Sequence, residues 1–505
     1  MKWKEIILPI LIAIPACLAL LVPGFYGASD DLHIAWLQQM DKTISSGQFP
    51  PRYVPDLSFG YGYPLFNFVF PLPFYVGEIF HKLGLSYVDS VKSVFALSFI
   101  ASAIAMYGLS RKYTSIWVSL LAATIYIYTP YRSTDVYVRG AIGEAFAFIF
   151  LPIITLALSQ PLTRKNISLG GLAISGLVLS HNIVAYMFLP LALVLGLLIH
   201  FKEKIKLFSV FLLGALASAY FWIPALIDSS LMKYDTVFNF VDHFPTLRQL
   251  ITPFWGYGAS VAGPYDGMSF FLGVSNIFGV IFLGYVCLKS RNKLAIWLLG
   301  CFLLCIFMMN FRSTFLWRSV PLLPYFQFPW RFLTITTFVS SLAVIFLPKI
   351  RILPILAIVA IIAFSYPIFR PHDFLGRNDA YYLNRYIPVP NPSVEYRELQ
   401  EEYLRLPKAT TKRPTDYIFQ TPTFTTNLTS PQVLSFNKYF FPGWQGTIDG
   451  QKLQLSAGQP YGQIQFEVPA GEYQIKVFFA ETPVKIFLDI LSLVALIALC
   501  LSVLL

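Results

Sequence analysis

Apolar runs dominate the chain, and short clusters of Lys and Arg separate them. The runs lie at 5–24, 91–110, 114–131, 142–159, 167–181, 183–200, 207–227, 271–289, 294–311, 332–348, 352–369 and 485–505. Each is close to the length of about 20 apolar residues that a helix needs to cross the hydrocarbon core. The basic clusters are Lys2/Lys4, Arg111-Lys112, Arg164-Lys165, Lys202/Lys204/Lys206, Lys289/Arg291/Lys293 and Lys349/Arg351. The positive-inside rule puts them all on the cytoplasmic side. From Arg111 onward two apolar runs fall between successive clusters, as this orientation requires. Between Lys4 and Arg111 there are three, and an even number must cross. The odd one is 64–80, which carries Pro64, Pro71 and Pro73 and is expected to lie along the outer interface. The pattern predicts an all-α polytopic membrane protein of about twelve crossings. Its longer loops, 25–90, 132–141, 228–270, 312–331 and 370–484, then all face outward.

The last of these loops differs in kind. Residues 370–430 are rich in Pro, Thr, Tyr and charge and show little periodicity. From Gln432 the sequence alternates, as in QVLSFNKYF and QIQFEV, with Asp449-Gly450 as a hairpin turn signal. A small extracytoplasmic β module is expected over 431–484, ahead of a final transmembrane helix at 485–505. Residues 1–369 then form the transmembrane domain, with 25–90 as its first outer loop. Met1 to Gly24 has the charged start of a signal peptide, but its apolar run is longer than a usual h-region, and it is expected to remain as the first helix.

Composition agrees with this reading. The chain has 505 residues, 56% hydrophobic and only 12% charged, against about 25% charged in soluble proteins. The net charge of +11 follows from the cytoplasmic clusters and is not a nucleic-acid signal. The five cysteines, Cys17, Cys287, Cys301, Cys305 and Cys500, lie in apolar runs without metal-ligand spacing and read as small buried hydrophobes. No P-loop, dinucleotide fingerprint, HExxH or GxSxG motif is present, which argues against an ATP-driven pump, an oxidoreductase, a zinc protease and an α/β hydrolase.

The candidate chemistry gathers in the loops. Ser29 to Pro73 opens with Asp30-Asp31, then His33 on an amphipathic helix predicted to run from a Ser29 N-cap to about Ser45. Asp30 and His33 share a helix face. The acids suit either capping or catalysis, and ionisable groups at a membrane edge favour catalysis. The second loop brings Arg132, Asp135, Arg139 and Glu144, either as a structural Arg139–Glu144 ion pair or as a substrate site. His181-Asn182 marks a hairpin tip that caps the turn or faces a cavity. In 228–270, His243, Arg248, Trp255, Tyr257, Tyr265 and Asp266 interleave aromatic and polar groups. Such a set suits stacking on sugar rings or an interfacial belt. Arg318 and Arg331 flank the YFQFPWRF stretch. Each suits either snorkelling to head groups or clamping a phosphate with a planar fork that lysine lacks.

The runs Asp30-Asp31-Leu32-His33, Gly47-Gln48-Phe49-Pro50-Pro51-Arg52, Gly60-Tyr61-Gly62-Tyr63-Pro64 and Pro71-Leu72-Pro73-Phe74-Tyr75, with Tyr137-Val138-Arg139-Gly140-Ala141, Glu144 and Gln327-Phe328-Pro329-Trp330-Arg331-Phe332, resemble a family of bacterial multi-pass proteins. That family is labelled "6-pyruvoyl-tetrahydropterin synthase-related". The soluble synthase holds zinc through histidines, and the sequence shows no such cluster, so that chemistry is not expected. More broadly the chain resembles the GT-C glycosyltransferases, integral enzymes that use polyprenyl-phosphate-linked sugars. The resemblance implies Asp30 or Asp31 as catalytic base or anchor, with Asp135 or Glu144 as the second acid. The remaining substrate-binding candidates are His33, Arg52, Tyr61, Arg139, His181, His243, Arg318 and Arg331.

The chemistry of such a transfer fits these residue types. A carboxylate takes the acceptor proton, cations hold the departing phosphate, and an apolar groove holds the lipid. Asp30-Asp31 could also bind a divalent cation (Mg, Mn or Ca) through oxygen ligands. The expected partners are a polyprenyl-phosphate sugar, a lipid, glycan or protein acceptor, and the bilayer of a prokaryotic plasma membrane, with the site on the extracytoplasmic face. The rivals are a transporter or flippase of lipid-linked sugars and a non-catalytic glycan-binding scaffold. A transporter is expected to carry charges inside its spans.

Overall fold

The computed structural model describes residues 3–58, 60–232, 239–349, 351–387, 423–459 and 462–504. Most of the stretch read as irregular, 370–430, lies outside the described residues. The chain is mostly helical, with a small all-antiparallel β module before the last helix.

Among the described residues five helices are long and apolar enough to cross a membrane: Tyr87–Ser110, Ile142–Ser159, Asn182–Ala217, Pro329–Phe346 and Pro483–Leu504. A sixth arises if Lys293–Met308 and Phe311–Ser319, bent by 87° at their junction, count as one broken span. The remaining apolar runs make shorter helices, Glu5–Leu21, Ile116–Tyr128, Val274–Lys289 and Ile352–Ile368. This is fewer than the twelve crossings expected, for a local reason. Ser115 caps the start of Ile116–Tyr128 and Thr129-Pro130 ends it, leaving 13 residues, or roughly 20 Å of helix. The 36-residue Asn182–Ala217 stretch also folds back near Phe201–Glu203. A Cβ on Gly196 would lie 2.4 Å from Leu207 Cδ1, whereas eleven residues of straight helix would separate them by roughly 16 Å.

Segment 64–80 forms Leu65–Phe68 and Leu72–Lys82, broken at Pro71. The first-loop helix starts later than expected, at His33, and runs to Ser45. Ser29 is not its N-cap. The Ser29 and Asp30 N–H groups donate instead to the Val138 and Arg139 carbonyls, at 3.1 and 2.7 Å. The second loop takes that position because Gly140 ends a π-helical turn over Thr134–Arg139 in the left-handed region, at φ 73°. A Cβ there would come within 3.0 Å of Ala28 Cβ and 3.3 Å of the Asp30 carbonyl oxygen.

The β module has seven strands: β1 Thr423–Leu428, β2 Gln432–Tyr439, β3 Trp444–Ile448, β4 Gln451–Leu453, β5 Ser456–Ala457, β6 Gln463–Val468 and β7 Gly471–Phe479. They form two sheets of order β1-β7-β3-β4 and β2-β6-β5, closing over Phe436, Ile464, Phe466, Ile475 and Val477. The module sits directly on the first loop. Tyr439 N–H donates to the Tyr61 carbonyl at 2.9 Å, and the Tyr61 and Tyr439 rings stack at 5.3 Å. Lys438 Nζ donates to the Pro55 and Gly60 carbonyls at 2.9 and 2.7 Å.

Candidate active site

Glu144 and Arg139 form the centre. Arg139 Nη1 lies 2.8 Å from Glu144 Oε2 and 2.7 Å from Asp135 Oδ1. Both carboxylates are fully buried. Tyr131 OH donates to Glu144 Oε1 at 2.6 Å, and Thr334 Oγ1 donates to the same atom at 2.5 Å. The Arg139 guanidinium also lies 4.7 Å from the centroid of the Trp330 ring, a cation–π contact. One cation thus serves two buried acids. Burial first, and the Glu144 carboxylate next, push the Asp135 carboxyl well above the ordinary carboxylate range. That relieves the like-charge conflict. Asp135 Oδ2 has no hydrogen-bond partner among the described residues.

The two adjacent acids have separate fates. Asp31 is buried and fixed: Tyr386 OH donates to its Oδ1, and Arg377 Nη1 lies 3.8 Å from its Oδ2. Asp30 is half-buried, and no hydrogen bond or ion pair holds its carboxylate among the described residues. It is close enough to Arg139, Arg331 and His33 to interact with each electrostatically. Its backbone, by contrast, is pinned to Arg139. The result is an available carboxylate on a fixed main chain beside a charged cluster.

His33 belongs to the same neighbourhood and is packed among aromatics. Its ring meets Trp36 and Phe74 edge-on at 5.3 and 5.7 Å. Burial lowers it to about 4, against the opposing pull of Asp30, so it is neutral at neutral pH. His181 Nδ1 accepts from Val184 N–H at 3.2 Å and caps the Asn182–His200 helix. It still lies within electrostatic reach of Glu144, Arg331 and Arg139. Arg331 donates from Nη1 to the Phe326 carbonyl at 2.9 Å, and its buried Nε has no partner among the described residues. His243 stands one layer back. Its Nδ1 is 2.9 Å from Ser260 Oγ, which also accepts from Trp330 Nε1 at 3.2 Å.

Three sequence candidates lie elsewhere. Arg52 is buried against the last helix, donating to Glu481 at 3.1 Å, Asp489 at 2.6 Å and the Tyr220 carbonyl at 2.9 Å. Tyr61 packs under the β module, and Arg318 is exposed on the Thr314–Ser319 helix. Tyr131 and Thr334 join the site without having been singled out. Each is one polar residue at the edge of an apolar run, and nothing local shows that it meets Glu144. A divalent cation at Asp30-Asp31 is not supported by the residues. Asp31 is already engaged by Tyr386 and Arg377, and no group of three or more His, Cys, Asp or Glu able to hold a metal occurs among the described residues.

Two cavities border the second loop, one at Val138 and one at Pro130. One, of about 540 Å³, is lined by residues that include Ser29 and Val138. The other, of about 630 Å³, is mostly apolar, with Ile125, Phe254, Trp255, Ile361 and Phe364 among its walls.

No protein-family model matches the sequence, and no curated protein does. Solved structures are similar to it at low identity. The arabinofuranosyltransferase AftD from Mycobacteria aligns with a TM-score of 0.46 at 14% identity, covering 77% of this chain and 27% of that one. The apo oligosaccharyltransferase of Archaeoglobus fulgidus aligns with a TM-score of 0.45 at 15% identity, covering 83% of this chain and 62% of that one. The chain therefore spans less than two thirds of either protein.

Proposed function

We propose that the protein is an integral-membrane glycosyltransferase of GT-C type. It takes a sugar from a polyprenyl-phosphate donor and works on the extracytoplasmic face of a prokaryotic plasma membrane. The observation that carries this reading is the Asp30 carboxylate, unengaged among the described residues, pinned through its backbone to Arg139 and within electrostatic reach of Arg331. In the reaction Asp30 takes the proton of the acceptor hydroxyl. The acceptor oxygen forms a bond to the anomeric carbon, and the bond from that carbon to the phosphate oxygen breaks, its electron pair leaving with the phosphate. Arg331 neutralises the departing phosphate, its Nε having no partner among the described residues. Arg139, already shared by two acids, holds the site together. The apolar cavity offers a place for the lipid part of the donor.

The test is sugar release or transfer from a synthetic polyprenyl-phosphate sugar by purified protein. Asp30→Asn keeps the shape and removes the base, so turnover is expected to fall by about 10²–10⁴-fold with the melting temperature unchanged. Full activity in Asp30→Asn would overturn the reading. One observation favours the transport rival: Lys485 and Asp489 on the last helix form buried or half-buried ion pairs with Asp228 and Arg52, at 3.0 and 2.6 Å. These charges are paired to one another, and among the described residues Asp30 is not. Donor turnover by protein in detergent, where no second compartment exists, belongs only to the enzyme.

A further inference from the structure

The cavity beside Ser29 has the features of a built site. Ser29 and Val138, whose main chains are hydrogen-bonded to each other, form one wall, which puts Asp30 one residue away. Tyr257, Gly258, His372 and Asp373 also line it. Tyr257 is half-buried and its ring is held from two directions. Trp255 meets it edge-on at 5.6 Å and His372 packs on it at 5.1 Å. Its main chain is fixed by a close turn in which Gly258 N–H donates to Gly267 O at 2.9 Å. A Cβ on Gly258 would strike Gly267 Cα at 2.8 Å, so only glycine lets the two strands approach. His372 and Asp373 pair through Nδ1 and Oδ2 at 2.8 Å, and their side chains are 65% and 59% exposed. The Asp373 carbonyl accepts from Gly27 N–H at 3.1 Å, which ties this pair to the first loop.

A fixed aromatic ring beside a solvent-facing carboxylate and imidazole, with Gly27 and Ala28 also in the lining, matches the chemistry of a sugar ring. The ring's C–H face stacks on an aromatic and its hydroxyls bond to planar polar groups. A lipid acceptor would need the apolar walls found instead in the neighbouring cavity, across the 253–258 loop. Resting on the glycosyltransferase reading, we infer that this cavity is the acceptor site and that the acceptor is a carbohydrate, stacked on Tyr257 and hydrogen-bonded by Asp373 and His372. Its hydroxyl points toward Asp30, which takes the proton as the new glycosidic bond forms.

The full chain in lipid nanodiscs avoids competition from sugar-headed detergents. Binding of methyl glycosides and disaccharides of glucose, galactose and mannose is measured by saturation-transfer NMR. At least one should bind saturably. Tyr257→Ala should weaken it by about three- to tenfold, Tyr257→Phe should restore it, and Asp373→Asn should weaken it. Absence of binding by every sugar, or binding indifferent to both Tyr257→Ala and Asp373→Asn, overturns the inference. Sugar binding without donor turnover would remove the enzyme reading and keep the cavity as a glycan site. Asp30-dependent donor hydrolysis without sugar binding would do the reverse.

Discussion

Asp30 and Asp31 are neighbours with opposite environments, and that contrast governs what each substitution should do. Asp31→Asn leaves the proposed base in place but weakens the contacts to Tyr386 and Arg377. Turnover should stay within a few-fold while stability drops by about 1–3 kcal/mol, readable by thermal unfolding. At Arg331, Lys keeps the charge and loses the planar fork. Donor kcat/KM should fall in Arg331→Lys and further in Arg331→Ala, by about 2–5 kcal/mol if the contact is desolvated. Wild-type donor kinetics in both would leave Arg331 as a structural residue. His33 makes a pH prediction. Burial lowers it from its ordinary value of 6.5 to about 4, so the folded state resists protonation more than the unfolded chain does. Its contribution is fully present above pH 6.5 and is lost as the pH falls toward 4. The amount is about 3 kcal/mol at most. A His33→Phe variant should therefore lose less stability between pH 7 and pH 4 than the parent, as followed by unfolding at each pH.

At the scale of elements, the turn from Pro130 to Glu144 does the organising. A short helix at Pro130–Ser133, a widened turn and Gly140 bring Tyr131, Asp135, Arg139 and Glu144 onto one point. The same turn lends its carbonyls to Ser29 and Asp30. Removing Arg139 leaves the buried Glu144 carboxylate, and Asp135 beside it, without their shared cation. Arg139→Met should cost about 3–5 kcal/mol, and adding Glu144→Gln should recover part of the loss. A double-mutant cycle by thermal unfolding checks this, and additive losses would refute the pairing. The first-loop helix shows what the local pattern missed. Ser29 reads as an N-cap, yet its N–H group and that of Asp30 are used by the second loop, and the helix begins at His33. The β module was legible from its alternation and its Asp449-Gly450 turn. Its seat on Tyr61 and under Lys438 was not, because those contacts join residues 378 and more apart.

For the whole molecule, orientation is the open quantity that one experiment fixes. If the basic clusters lie inside, cysteines placed at Asn378 and Gln451 should react with an impermeant maleimide on intact cells, and one at Lys204 should not. Labelling at Lys204 alone would move the proposed site to the other face. The segment around Lys202, Lys204 and Lys206 is a tight reversal in the structure, with Leu207 packed against Gly196, so it presents a loop to whichever side it meets.

The sequence by itself determined the helical membrane class, a β module expected over 431–484, and the loops in which the acids and arginines stand. These follow from apolar length, period-two alternation and charge placement, which are properties of neighbouring residues. The first strand, Thr423–Leu428, fell in the stretch read as irregular and was missed. Only the tertiary structure decided which of the adjacent acids is engaged, that Glu144 meets Thr334 across 190 positions, and that Arg52 turns away from the site to Asp489 across 437. A charge buried in a bundle is settled by whichever partner packing brings within about 3 Å. That partner can come from anywhere in the chain, so no local pattern encodes it.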